Sequence, residues 1–161
     1  MMLTITNAAL VVCWALGLGA TRVEYESFAE DIVKTNRASI SFRDDPKTEP
    51  VEREYGYSGY DRGHLAPAAD FTGDRRKLEA TYLMSNISPM LPRFNRGKWA
   101  GIEAEARKEV KERGSARIVT IPVYGQTTNR CGRLQVPTAF VKLVYTGNVC
   151  VAAWEADHTE K

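Results

Sequence analysis

Only two histidines occur in the chain, His64 and His158, so imidazole chemistry has few places to reside. His64 lies in Gly59-Tyr-Asp-Arg-Gly-His-Leu-Ala-Pro67, where Asp61, Arg62 and the ring crowd around two glycines that permit tight backbone geometry and close ligand approach. Downstream come Ser85-Asn-Ile-Ser-Pro89 and Phe94-Asn-Arg-Gly-Lys-Trp99, followed by Glu103 and Arg107. At about 100° per residue, Asn95, Glu103 and Arg107 fall within roughly 120° of one another around a helix axis. A carboxamide, a carboxylate and a guanidinium thus share one flank. The same residues also fit a plainer pattern, an Asn N-cap followed by an i,i+4 Glu–Arg surface pair. His158, in the polar tail Ala-Asp-His-Thr-Glu-Lys, reads as a solvated side chain.

The elements that must position these groups follow from periodicity. The stretch from Asn95 or Arg96 to Arg113 is the clearest helix. Trp99, Ile102, Ala106 and Val110 form its buried stripe, Lys98, Glu105, Lys108, Glu109 and Glu112 its polar surface, and Gly114 its C-cap. Asp74 to Ala80 suits a short helix, and Thr81 to Ile87 reads as a strand broken by Ser88, Pro89 and Pro92. Phe28 to Tyr60, rich in charge and turn residues, reads as a long irregular segment, with the lone His64 in a loop after it. Ala116 to Tyr124, Ala139 to Tyr145 and Val149 to Trp154 read as strands. Strands, one long helix and strands again predict an α+β domain rather than a doubly wound sheet.

With 161 residues, 43% hydrophobic and 26% charged, the chain has material for one domain with a core, spanning 1–161, and is neither disordered nor fibrous. A net charge of +2 excludes a histone-like polycation, so any polyanion site must be a local patch. From Pro92 to Arg117 eight Lys or Arg stand against four acids, which fits such a patch and equally an ordinary solvated helix face. Cys13, Cys131 and Cys150 lack zinc-site spacing and read as three reduced, mostly buried thiols, with one disulfide pair left open. The apolar run Ala8 to Ala20 has no basic lead-in and is shorter than the roughly 20 residues of a membrane helix. It reads as a strand from Leu10 to Trp14, a turn through Gly17 and Gly19, and a strand from Arg22 to Tyr25, in preference to a signal peptide. No membrane partner is expected, and an intracellular origin, cytoplasmic or phage-encoded, is favoured over secretion.

Taken together, DRGH with its flanking GY and LAP, then SNISP, then FNRGKW with Glu103 and Arg107 at helical offsets, resemble the DNA/RNA non-specific endonuclease family over roughly Val12 to Trp154. The resemblance implies the ββα-metal, or His-Me finger, fold, a mainly antiparallel sheet with one long metal-bearing helix. It implies phosphodiester hydrolysis of DNA and RNA with little sequence preference, leaving 5′-phosphate ends. By that similarity His64 is the general base, Asn95 the direct ligand of one Mg²⁺ (Mn²⁺ a possible substitute), and Glu103 a holder of the metal's waters. Arg62 and Arg107 are expected to contact phosphate oxygens, which suit a guanidinium fork. Asp61 and Asn86 are expected to orient the site. The family's further upstream arginine matches Arg37, with Arg43 as the rival. Tyr57 and Tyr60 either stack on sugar or base or pack the loop.

Two positions depart from the family pattern: Met90 stands where Gln is usual, and Ile121 precedes Pro122 where Gly is usual. The expected partners are DNA and RNA, bound through phosphates with strong salt dependence. A homodimer and an inhibitor protein are further possible partners. Two other readings stay open, a catalytically silent nucleic-acid-binding domain of the same fold and a nuclease toxin held by an inhibitor.

Overall fold

The computed structural model describes residues 2–6, 9–34 and 39–159. Its main sheet has six strands, β1 (Met2–Thr6), β2 (Val11–Ala15), β3 (Gly19–Phe28), β6 (Ser115–Val123), β9 (Ala139–Thr146) and β10 (Val149–Asp157). They run antiparallel in the order β1-β2-β3-β6-β9-β10. Two short pairs complete the strands: β4 (Asp61–His64) with β5 (Ile87–Met90), and β7 (Arg130–Cys131) with β8 (Leu134–Gln135). The helices are α1 (Arg75–Ala80), α2 (Pro92–Phe94) and α3 (Ala100–Arg113), with a π turn at Asn95–Trp99 joining the last two. The α+β reading holds. The β4–β5 pair leading into α2 and α3 is the ββα unit, its two strands separated by the segment that carries α1.

The predicted N-terminal hairpin forms as β2 and β3, because Gly17 and Gly19 take φ of +72° and +82° in the connecting turn. Alternation then selects the core face. Val23 and Tyr25 of β3, Ile118 and Thr120 of β6, and Phe140, Lys142 and Val144 of β9 are all buried on the side that meets α3. From the helix, Trp99, Ile102, Ala106 and Val110 fill the space between, as their spacing predicts. Trp99 is fully buried, and truncating such a side chain to Ala costs about 3–5 kcal/mol. Gly114, at φ +85°, ends the helix where expected.

Three expectations are corrected. The DRGH segment is a strand, not a loop, paired Asp61↔Met90 through His64↔Ile87. The downstream strand is Ile87–Met90, so Ser88 and Pro89 lie inside it and Thr81 to Asn86 do not. Pro89 is tolerated because a two-stranded pair is all edge, where a missing N–H breaks no second ladder. The helix begins at Pro92, whose fixed φ and absent N–H suit the first turn, so Asn95 lies within it and is no N-cap. Among the cysteines, only Cys131 is buried; Cys13 is half-buried, Cys150 exposed, and all three are free thiols.

Gly63 meets a close-approach requirement. A Cβ there would overlap the Sδ of Met90, whose buried side chain lies across the strand. Met90, the departure from the family pattern, therefore contributes to the core beneath the hairpin rather than to an open groove.

Candidate active site

His64 ends β4 with its ring set edge-on to Tyr82, centroids 4.9 Å apart at 83°, and tilted against Phe42 at 5.4 Å. The backbone that follows the ring is tied down. Trp99 Nε1 donates to the His64 carbonyl at 3.3 Å, and the next carbonyl, Leu65, accepts from Lys142 Nζ at 3.1 Å and Thr120 Oγ1 at 3.0 Å. Asn86, fully buried, accepts from Ala66 N–H through Oδ1 at 2.9 Å and donates through Nδ2 to the Ala66 and Thr81 carbonyls, each at 2.9 Å. These three bonds tie the chain just beyond the ring, at Ala66, to the Thr81 turn.

The helix is fastened to β4 at both ends of the strand. Asn95 Nδ2 donates to Asp61 Oδ2 at 2.9 Å, and Trp99 reaches His64 from the far end of the π turn. Asp61 also accepts two bonds from Arg96, at 2.9 and 2.7 Å. With its amide nitrogen committed to Asp61, Asn95 keeps the carbonyl oxygen Oδ1 as an acceptor. π turns inside helices recur at functional positions. Through this one the regular 100° step fails, yet Asn95, Glu103 and Arg107 still line one cavity of about 220 Å³ with His64, Pro67, Ala68, Ala69 and Ala100.

The plainer reading, a Glu103–Arg107 surface pair, is not what forms. Arg107 Nη1 donates instead to Asp70 Oδ1 at 3.1 Å, and Tyr25 Oη donates to Asp70 Oδ2 at 2.9 Å. Asp70 has 1% of its side chain exposed, and burial pushes its carboxyl above the usual range while Lys142 and Arg107 pull it down. Burial also lifts Glu103, to about 7, with Lys142 opposing the shift and Asp70 adding to it. Lys142 is fully buried and burial lowers its ammonium to about 8, against the attraction of Glu103 and Asp70. Two carboxylates, an ammonium and a guanidinium therefore cluster here, Glu103 and Arg107 on the cavity wall and Asp70 and Lys142 buried behind it.

Lys142, Asp70 and Tyr25 were missed by the sequence reading. The signal was present for Lys142: in Ala-Phe-Val-Lys-Leu-Val-Tyr it alternates in phase with Phe140 and Val144, which places a lysine on the core face. His158 is a correction. It is 8% exposed, its Nε2 accepts the Leu91 N–H at 2.7 Å, and its Nδ1 lies 2.7 Å from the Pro137 carbonyl, which it meets as a donor. It fixes the residue from which α2 starts.

Arg62 Nη2 donates to Glu52 Oε1 at 2.5 Å, and its guanidinium lies over the Phe42 and Tyr55 rings at 5.8 and 5.5 Å. Arg43 is exposed and forms a bridge with Leu83, next to the Phe42 that contacts His64. Arg37 lies outside the described residues. Tyr60 packs against the core, whereas Tyr57 is fully exposed. Among the described residues no group of three or more His, Cys, Asp or Glu could hold a metal ion by itself. The donor set present, one carboxamide oxygen with a carboxylate nearby, fits a hard divalent ion that keeps most of its waters.

The profile of the DNA/RNA non-specific endonuclease family matches residues 11–154. The chain belongs to this family. It is 28% identical to mitochondrial endonuclease G of Bos taurus over 125 residues, 68% of this chain and 42% of that protein. Nuclease C1 of Cunninghamella echinulata is 30% identical over 139 residues, 74% of this chain and 55% of that one. A mitochondrial nuclease of Saccharomyces cerevisiae is 45% identical over 73 residues, covering 45% of this chain and 22% of that one. The chain thus spans about half or less of the curated relatives it matches. A crystal structure of the EndoG/EndoGI complex superimposes with a TM-score of 0.81 at 21% identity, over 97% of this chain and 74% of the other, which establishes the shared fold. Among the described residues no helix is long and apolar enough to cross a membrane.

Proposed function

We propose that the chain is a metal-dependent endonuclease domain, residues 1–161, that hydrolyses DNA and RNA with little sequence preference and leaves 5′-phosphate ends. The carrying observation is the cavity in which His64, Asn95, Glu103 and Arg107 meet. His64 is the general base that takes a proton from the attacking water, a task suited to an imidazole near neutral pH. The aromatic contacts of Phe42 and Tyr82 and the carbonyl bonds of Trp99 and Lys142 hold its ring and backbone for that transfer.

Asn95 Oδ1 would hold the metal, with the Glu103 carboxylate on the same cavity wall to orient it. Bound there, Mg²⁺, or Mn²⁺ in its place, supplies Lewis-acid neutralisation of the phosphate and the leaving 3′ oxygen. Arg107, steadied by Asp70, presents a guanidinium to the non-bridging oxygens. Arg62, two residues before His64 on β4, is held by Glu52 and approaches phosphate beside Phe42. The role of the upstream arginine falls to Arg37, with Arg43, exposed beside Phe42, as its rival. Phosphate contacts without base reading make the affinity fall steeply with salt.

Supercoiled plasmid and an RNA transcript, each incubated with the protein in Mg²⁺ and in EDTA, test the reading. Degradation of both in Mg²⁺ and of neither in EDTA is expected. No cleavage by folded protein with Mg²⁺, Mn²⁺ or Ca²⁺ rejects it in favour of a silent binding domain. One observation favours an added partner: the structural neighbour is an EndoG/EndoGI complex that shows EndoG inhibition. A protein inhibitor of this chain is accordingly proposed, with poor expression of wild type but not of His64→Ala as the expected sign.

A further inference from the structure

Tyr55-Gly56-Tyr57-Ser58 forms a tight turn whose central residues place the wrong side chain in the wrong half. Gly56 has φ −61° and ψ 122°, which any residue adopts, while Tyr57 has φ +56°. This is the pattern of a type II turn, which favours glycine at its third position. Tyr57 is the one non-glycine residue at positive φ among the described residues, and its accessible surface is 111% of the reference value. The fold gains nothing from it: a large aromatic is held in a left-handed conformation and buries none of its surface.

The turn itself is firmly built. Ser58 N–H and Oγ both donate to the Tyr55 carbonyl, at 3.3 and 2.9 Å, and Tyr60 N–H donates to Ser58 Oγ at 3.1 Å. Tyr55 is buried with Arg62 over its ring. Three residues separate Tyr57 from Asp61, the partner of Asn95, so its Cα lies within about 14 Å of that of Asp61. A firmly bonded turn therefore presents the whole Tyr57 ring to solvent, its Cα within chain reach of the strand that carries His64.

We propose that Tyr57 is a stacking platform for an unpaired base of a single strand whose phosphate occupies the His64 cavity, a reading that rests on the nuclease function above. Base stacking on an aromatic needs a base free of its duplex neighbours and tolerates any sequence. Tyr57 thus favours single-stranded over duplex substrate without reading bases.

The test is fluorescence anisotropy in EDTA with a labelled single-stranded 12-mer and the matching duplex, for wild type, Tyr57→Phe and Tyr57→Gly. Tyr57→Gly weakens single-strand affinity by roughly 5- to 150-fold. It leaves duplex affinity within about twofold and melts no lower than wild type, because glycine suits the turn. Tyr57→Phe keeps the wild-type affinity. Equal single-strand affinity of wild type and Tyr57→Gly, or an equal loss on both strands, overturns the stacking assignment and leaves the nuclease reading standing. A wild type that binds neither oligonucleotide overturns the stacking assignment too, the nuclease reading being decided by cleavage in Mg²⁺.

Discussion

Asp61 and Asn95, thirty-four residues apart, meet through a 2.9 Å hydrogen bond that spends the carboxamide nitrogen and leaves its oxygen available. One carboxylate at the start of β4 thereby sets which end of Asn95 addresses the cavity, while His64 at the end of the same four-residue strand addresses it as well. The strand sets the spacing between His64 and Asn95.

Asp61→Ala should therefore lower cleavage by about 10- to 100-fold, the range seen when the partner orienting a metal ligand is removed. The cost in stability should be small, since the other Asp61 partner, Arg96, is 72% exposed. Initial rates on plasmid DNA beside a thermal melt check this, and an unchanged rate in a folded variant contradicts it.

Lys142→Met leaves Glu103 and Asp70 without a buried ammonium and the Leu65 carbonyl with one donor fewer. Breaking one side of a buried charge set costs about 3–5 kcal/mol. Urea unfolding at pH 7.5 should show a loss of that size, whereas a change below about 1 kcal/mol would assign the residue no such part.

His158 predicts a pH dependence with a definite sign. Burial lowers its folded-state pKa, with the Pro137 carbonyl opposing the shift, so the unfolded chain protonates first as pH falls. The stabilisation it gives is present above the unfolded value of about 6.5 and is lost below it, at up to about 1.4 kcal/mol per pH unit. The stability gap between wild type and His158→Gln should accordingly narrow from pH 7 to pH 5. A gap that stays constant over that interval would contradict the assignment.

Periodicity explains what was legible in the sequence. The stripe Trp99, Ile102, Ala106, Val110 and the cap at Gly114 are local signals, and the structure carries both. The paired glycines of the N-terminal hairpin are local too. What failed depends on contacts remote in sequence. Pro89 looked like a strand breaker because its partner Arg62 lies far upstream. His158 looked solvated because Leu91 and Pro137, which hold it, are 67 and 21 residues away. Glu103 and Arg107 looked like a surface pair because Asp70, 37 residues from Arg107, was not counted as its partner. The cavity residues were found through motif resemblance, and their co-location on the helix side of β4 is visible only in the fold.

The central claim is that His64 acts as the base in this cavity, and the rate of Mg²⁺-dependent plasmid cleavage by His64→Ala tests it most directly. The account predicts a folded variant that still binds DNA and cleaves roughly 100- to 10,000-fold more slowly than wild type. Cleavage within about threefold of wild type would contradict the claim.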